Sequence, residues 1–310
     1  MDFVNIFKKL IMYCTDSEFR FVYKAYRGKY NNMSDSEYLR RLFKIRVGYE
    51  LNLENPRSFN EKIQWLKLHD RNEKYVKLVD KYEVKEYIAN KFGRELVIPT
   101  LGVWDRFEQI NFNDLPDKFV LKCTHDSGGV VICTSKLEFD VEKAKKTLNR
   151  CLKHNFYWSG REYPYKQVKP RIIAEKYLVD DSKSGALNDY KLMCFNGKVE
   201  CGFVCSNRFG EGGLYVNFYD RDWNSLPFIR KYPKDPIEIQ KPALYDKMVL
   251  LAEKMSEGIP FVRIDFYEIE NKIYFGEFTF YPGSGMEWFD PIEWDYKLGD
   301  LLTLPELNKA

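Results

Sequence analysis

At 310 residues, with 45% hydrophobic and 31% charged side chains, the chain is long enough to bury a substantial core and to divide into two or three lobes. Its 49 basic and 46 acidic residues nearly cancel, which argues against a dedicated nucleic-acid binder, and no apolar run reaches the ~20 residues of a membrane span. Seven scattered cysteines without a C-x-x-C, and three separated histidines, speak against structural zinc and suit reduced thiols in the cytoplasm.

The first apolar residues, Phe3, Ile6, Phe7, Leu10 and Ile11, share one face of a helix. That face suits packing on the body or, as the second use, contact of residues 1–14 with the inner face of a membrane. Residues 1–55 read as a helical, basic N-terminal extension ending at Asn55-Pro56. The segment 58–70 reads as a capped helix, with Ser58 three residues before Glu61, the capping-box spacing. Asp80 and Glu83 repeat that spacing and predict a helix over 81–92 closed by Gly93, which puts Lys81 at the first helical position. There a cation and free N–H groups can face an anion, although a solvated lysine has the same signature.

After Pro99 short β segments take over. Phe119–Cys123 and Val130–Cys133 predict a hairpin around Gly128-Gly129, with Lys122 on the entering strand. A strand lysine beside a glycine loop can hold a polyphosphate. A helix is predicted over 141–154 and a strand over 171–178. Tyr190–Phe195 and Lys198–Cys205 flank Asn196-Gly197, the strongest short hairpin signal. Lys241–Gly258 reads as a helix, and Phe261–Tyr267 with Ile273–Phe278 as a last hairpin, its turn containing Asn271-Lys272. Hairpins mixed with helices predict an α+β chain and not a doubly wound parallel sheet. The 22 tyrosines and 23 phenylalanines serve as core or as platforms for sugar rings and adenine.

The last hairpin brings Asp265 and Glu277 together on adjacent strands, with Arg263 two residues before Asp265. Two carboxylates of this kind form a hard-oxygen site suited to Mg²⁺, and the guanidinium can neutralise a phosphoryl group. A cross-strand Arg–Glu surface pair is the alternative. Lys191, in Asp189-Tyr190-Lys191, adds a cation after the Ser182–Gly185 stretch.

In order, Lys81, Lys122 with its glycine loop, Glu175-Lys176-Tyr177-Leu178, Lys191, Arg263-x-Asp265 and Glu277-x-Thr279 resemble the ATP-grasp superfamily. Together with SFNEKIQWLK, Asp80-Lys81-Tyr82 and GEFTFYPGSG (276–285), they resemble its TupA-like branch, associated with bacterial surface-polysaccharide and teichuronopeptide biosynthesis. The resemblance spans roughly 56–300. It implies an ATP-grasp fold of two α+β lobes gripping ATP, divided into the extension 1–55, an N-terminal α/β subdomain 56–117, a lid 118–178, and a C-terminal subdomain 179–310 with the metal hairpin. It further implies that Lys81 and Lys122 contact the α- and β-phosphates, and that His125, Ser127, Gly128 and Gly129 close over the triphosphate. Glu175 would reach the adenine amino group, with backbone at Lys176 and Leu178 framing the base and Asp180 or Asp181 taking ribose hydroxyls. Asp189 would belong to the nucleotide site and Lys191 would face phosphate. Asp265, Glu277 and Thr279 would hold Mg²⁺, and Arg263 would face the transferred phosphate. Thr279 stands where many ATP-grasp enzymes have Asn, which leaves a second metal position open.

The activity implied is an ADP-forming carboxylate–amine ligase acting through an acylphosphate. Its partners would be a small-molecule amine and a carboxylate-bearing sugar or glycan, with no nucleic acid; the oligomeric state is open. Tyr281–Gly285 would wall the acceptor, and Arg208 and Arg221 would either recognise an anionic substrate or stand as surface charges. Asp220-Arg221-Asp222 leaves a glycosyltransferase as the other enzyme class, and a non-catalytic ATP-binding component is the third reading. Asp265-Phe266 is followed by Tyr267 where a kinase has glycine, and the chain has no H-R-D loop, which argues against a kinase.

Overall fold

The structure, a computed structural model, describes residues 12–126, 128–179, 187–207 and 213–307. Helices α1 (Ser17–Tyr26) and α2 (Asp35–Val47) lead the chain. Asp16 caps α1, and Ser34 caps α2, which ends at Gly48 with φ 94°, the left-handed residue that closes a helix without Cβ strain. Helix α3 (Phe59–His69) carries the expected reciprocal Ser58–Glu61 capping box. Two shorter helices follow, α4 (Lys74–Val79) and α5 (Glu83–Lys91).

Helix α5 begins two residues later than the spacing predicts. Asp80 accepts from the N–H groups of Tyr82 (2.8 Å) and Glu83 (3.2 Å), but the Glu83 carboxylate turns to Arg171 (2.9 Å) and does not complete the box. Lys81 therefore lies in the turn before the helix, its N–H donating to Thr124 O (3.1 Å).

Two antiparallel sheets carry the rest. The first has the order β1 (Thr100–Trp104), β4 (Ile172–Lys176), β2 (Phe119–Cys123), β3 (Val130–Cys133). Strands β2 and β3 have the predicted bounds, because Phe119, Leu121 and Cys123 alternate inward onto α6 (Val141–Leu152) through Ala144 and Leu148. This sheet takes β1 from residues that sequence places before the lid. The short helix α7 (Tyr157–Gly160) links α6 to β4.

The second sheet runs β7 (Tyr215–Asp220), β6 (Lys198–Ser206), β5 (Asp189–Phe195), β8 (Phe261–Ile269), β9 (Lys272–Thr279). Asn196 and Gly197 have φ of 49° and 84°, the two-residue turn their sequence predicts. The β8–β9 turn is Glu270-Asn271, both at positive φ, one residue earlier than expected. Helix α8 (Tyr245–Met255) covers this sheet with Met248, Ala252 and Met255. It starts four residues after the predicted Lys241, because Leu244 N–H is taken by Glu268 (3.1 Å). No described helix is long and apolar enough to cross a membrane.

Helix α9 (Glu293–Leu301) crosses α3 with Gly299 at the contact. A Cβ there would fall onto Arg57 O and lie 2.9 Å from Phe59 N. Gly299→Ala is expected to cost about 3 kcal/mol or more, since backbone has to move; urea unfolding measures it, and an unchanged midpoint would refute the contact.

Candidate active site

Strand register decides which charges meet. Lys191 on β5 stands opposite Asp265 on β8, and Arg263 opposite Thr279 on β9. Asp189 and Glu277 each lie two residues from one of these, so all six side chains share one face. A bulge between Ile264 and Phe266 sets Asp265 against both Gly276 and Glu277. Gly276 permits this close approach, since a Cβ would lie 3.1 Å from Asp265 O and 3.2 Å from its Cβ.

Arg263 is the hub. Its Nε donates to Asp265 Oδ1 (2.7 Å), and Nη2 donates to Asp265 Oδ2 (2.8 Å), Glu277 Oε1 (3.0 Å) and Thr279 Oγ1 (2.9 Å). Lys191 Nζ pairs with Asp189 Oδ2 (2.6 Å) and donates to Asp265 Oδ2. Burial alone would lower the Lys191 pKa, but Asp189 and then Asp265 outweigh it and raise it. Arg263 is likewise held as a cation by Asp265 and Glu277 against burial. Burial works to raise Glu277, yet Lys81, Arg263, Lys191 and Lys122 together draw its carboxyl down to about 2. Lys81 and Lys122 come from the other half of the molecule, so their field on Glu277 places the glycine-loop side against the hairpin.

On that opposite wall, Lys122 Nζ and Lys85 Nζ each pair with Glu175 at 2.6 Å. Both oxygens of Glu175, expected from the resemblance to meet adenine, are engaged by these lysines, and it is 5% exposed. Burial pushes its carboxyl up, but Lys122 and then Lys85 prevail and draw it to about 2. A folded pKa below the ordinary 4.5 gives stability that is present above about 4.5 and is lost as pH falls toward about 2. The linkage is worth about 3 kcal/mol. Glu175→Gln is expected to flatten the loss of stability between pH 4.5 and 2.5, and an unchanged acid-unfolding curve would contradict the pairing.

Other expectations also shift. Lys176 N–H donates to Pro99 O (3.0 Å), leaving no backbone donor there for a base; Leu178 lies past the strand end, half-buried. His125 is 1% exposed, its Nε2 against Cys151 O (3.1 Å), so it packs beneath the loop. Lys81 Nζ donates to Asp126 O (2.7 Å), tying it to the glycine loop. Gly128 is exposed, and Gly129 is packed where a Cβ would lie 3.0 Å from Cys151 Sγ. Ser127, Asp180, Asp181 and Arg208 lie outside the described residues. Arg221 pairs with Glu253, and Asp220 accepts from Asp222 N–H (2.9 Å) and Asn224 N–H (2.8 Å). The D-x-D is therefore a turn-forming element, which removes the support it lent to a glycosyltransferase.

Sequence spacing did not point to Lys85, nor to the polar face of α3. Asn60, Gln64 and Lys67 recur at i, i+4 and i+7, a pattern that normally faces water. Here all three are buried against the segment 284–295, Asn60 Nδ2 donating to Asp295 Oδ2 (2.9 Å) and to Glu287 O (2.7 Å). The polar residues Glu61, Lys62 and His69 are spread over the other positions of α3, so spacing by itself did not single out this face.

The donor chemistry fits Mg²⁺ carried in with phosphates: Glu277 is ionised and its side chain 39% exposed, with Asp265 beside it on the same face. Among the described residues no three His, Cys, Asp or Glu side chains form a metal cage, so substrate oxygens would complete the shell. The Thr279 hydroxyl accepts from Arg263 and donates to Glu277 Oε1 (3.2 Å), so here it orients the carboxylate.

A family model described as TupA-like ATPgrasp matches residues 61–303. No curated protein matches the chain. Among solved structures, D-alanine–D-alanine ligase from Bacillus anthracis is 16% identical with TM-score 0.37, over 66% of this chain and 57% of that one. The Helicobacter pylori D-alanine–D-alanine ligase is 17% identical with TM-score 0.41, over 81% and 70%. The ATP-grasp ligase PsnB, solved with a phosphomimetic precursor variant, Mg and ADP, is 9% identical with TM-score 0.39, over 68% and 52%. The chain thus spans less than two thirds of the length of the first of these.

Proposed function

The chain belongs to the TupA-like ATP-grasp family, and on that basis we propose that it is an ATP-dependent carboxylate–amine ligase working in bacterial surface-polysaccharide biosynthesis, on a uronic acid or similar carboxylate. The observation that carries this reading is the shared face of Asp189, Lys191, Arg263, Asp265, Glu277 and Thr279, with Lys81 and Lys122 bearing on Glu277 from the opposite wall.

ATP transfers its γ-phosphoryl group to a carboxylate oxygen, giving an acylphosphate and ADP. The amine attacks the acyl carbon, the C–O bond to phosphate breaks, and amide, phosphate and a proton are released. In this reading Arg263 and Lys191 face the transferred group, while Lys81 and Lys122 neutralise the upstream phosphates. Glu277 with Asp265 would hold Mg²⁺, which screens phosphate charge when bound. Fixed cations on rigid strands suit a reaction that consists largely of positioning and charge neutralisation. Tyr281–Gly285, directly after the hairpin, serves as the acceptor wall.

The test is ADP release by the purified protein with Mg²⁺, ATP, a panel of uronic acids and hydroxylamine as a general amine. Carboxylate-dependent ADP with equal hydroxamate is the expected result. ADP release that is indifferent to every acid, with no hydroxamate, would overturn the ligase assignment.

A further inference from the structure

The loop that follows the catalytic hairpin is strained, and its restraints serve no step described so far. Gly283, Ser284 and Gly285 all have φ of 58°, three successive left-handed residues of which one carries a Cβ. Such a conformation persists only where the surroundings over-determine it. Helix α3 supplies that restraint. Gln64 Nε2 donates to Ser284 O (2.9 Å) and Gly285 O (2.7 Å), and Lys67 Nζ donates to Ser284 O (2.8 Å), Ser284 Oγ (2.8 Å) and Gln64 Oε1 (3.0 Å). Lys67 has no exposed surface, and a buried ammonium needs a counter-charge.

The carboxyl that bears on it is Glu162, 5% exposed. Its carboxyl lies beside the Ser284 hydroxyl, both within reach of the same point next to Gly160; burial raises the Glu162 pKa against the pull of Lys67, and burial lowers Lys67 to about 8. The three groups therefore run Lys67, Ser284, Glu162. Gly160 lies against them, where a Cβ would fall onto Ser284 Oγ and lie 3.0 Å from Glu162 Oε1. Tyr165 lies beside Glu162, its N–H donating to Glu162 O (3.1 Å).

The neighbouring residue faces the other way. Arg161, 1% exposed and left-handed at φ 55°, donates from Nη2 to Tyr30 O (2.7 Å), lies 4.4 Å from the Tyr38 ring and 3.6 Å from Asp35. Asp35 also accepts from Tyr157 OH (2.7 Å). The helical segment 17–47, outside the part matched by the family model, is thus keyed to the residue next to Glu162.

We propose that Glu162, Ser284 and Lys67 are positioning residues that fix the acceptor wall, and that the N-terminal helices brace them through Arg161; the acceptor role rests on the ligase reading above. The hydrogen bonds of this unit given above run between α3 and the 284–285 loop, and none of them reaches Lys81, Lys122, Lys191 or Arg263, so acceptor and nucleotide should separate experimentally.

Glu162→Gln replaces the carboxyl and keeps the shape. Ser284→Gly removes the hydroxyl and tolerates the left-handed backbone. Asp35→Asn tests the brace at a partly exposed position. For each, Mg·ATP affinity is measured by calorimetry, hydroxamate kinetics with the uronic acid preferred by the unaltered protein, and amide hydrogen exchange of the peptide 281–286. The expected result is Mg·ATP affinity within about twofold, carboxylate KM raised about tenfold or more, and faster exchange confined to that peptide, with Asp35→Asn showing the smallest change. Loss of Mg·ATP affinity in parallel with the KM, or unchanged carboxylate kinetics in both Glu162→Gln and Ser284→Gly, would overturn the proposal. If the unaltered protein forms no hydroxamate, the ligase reading fails and the exchange decides the latch alone. Faster exchange limited to 281–286 supports it, and unchanged or global exchange refutes it.

Discussion

Glu277→Ala is expected to lower ATP turnover by about 10²–10³-fold, the usual cost of removing one preorganised electrostatic partner, while leaving the protein folded. The carboxylate is ionised with its pKa near 2, its Oε1 is oriented by Arg263 and Thr279, and its side chain is 39% exposed. It is thus the acidic group on this face that is both charged and reachable. Its loss removes one of two carboxylates facing Arg263 but leaves the bidentate Asp265 contact in place. ADP release and a thermal melt, run side by side, check both parts. Turnover within tenfold of the unaltered protein would remove Glu277 from the reaction.

Asp265→Ala is expected to act first on stability, by about 3 kcal/mol, because it removes the shared partner of two buried cations. Asp265 is 2% exposed, and both of its oxygens accept, from Arg263 on one side and from Arg263 and Lys191 on the other. Asp189 remains as a partner for Lys191, but Arg263 keeps only Glu277 and the Thr279 hydroxyl. Urea unfolding measures the effect, and a loss under 1 kcal/mol would mean that water or Glu277 replaces the missing carboxylate. Two carboxylates that look equivalent in sequence therefore differ by environment: Asp265 is bound up with the sheet's cations, and Glu277 is the more open of the two to a ligand.

The elements that sequence located best are those with local rules. Strands β2 and β3, the Asn196-Gly197 turn and the Ser58–Glu61 box depend on alternation or on backbone geometry within a few residues. The errors arose where a distant group competed for a local one. Glu83 was taken from its capping box by Arg171, and Leu244 N–H from the start of α8 by Glu268. Glu175 shows the same effect in the site. Its neighbours in sequence suggest a strand edge facing a base, whereas Lys85 and Lys122, 90 and 53 residues earlier in the chain, enclose it.

By itself, the sequence determined the α+β class, the family resemblance, the hairpins and which residues could carry charge at the site, since these follow from periodicity, turn chemistry and motif order. Only the tertiary structure decided how those charges pair. It joined Lys191 to Asp265, turned Thr279 toward Arg263, and buried the polar face of α3 against the 284–295 loop. The physical reason is that a buried charge takes whatever partner the sheet register and lobe packing bring within ~3 Å, and such partners are set by contacts far apart in the chain.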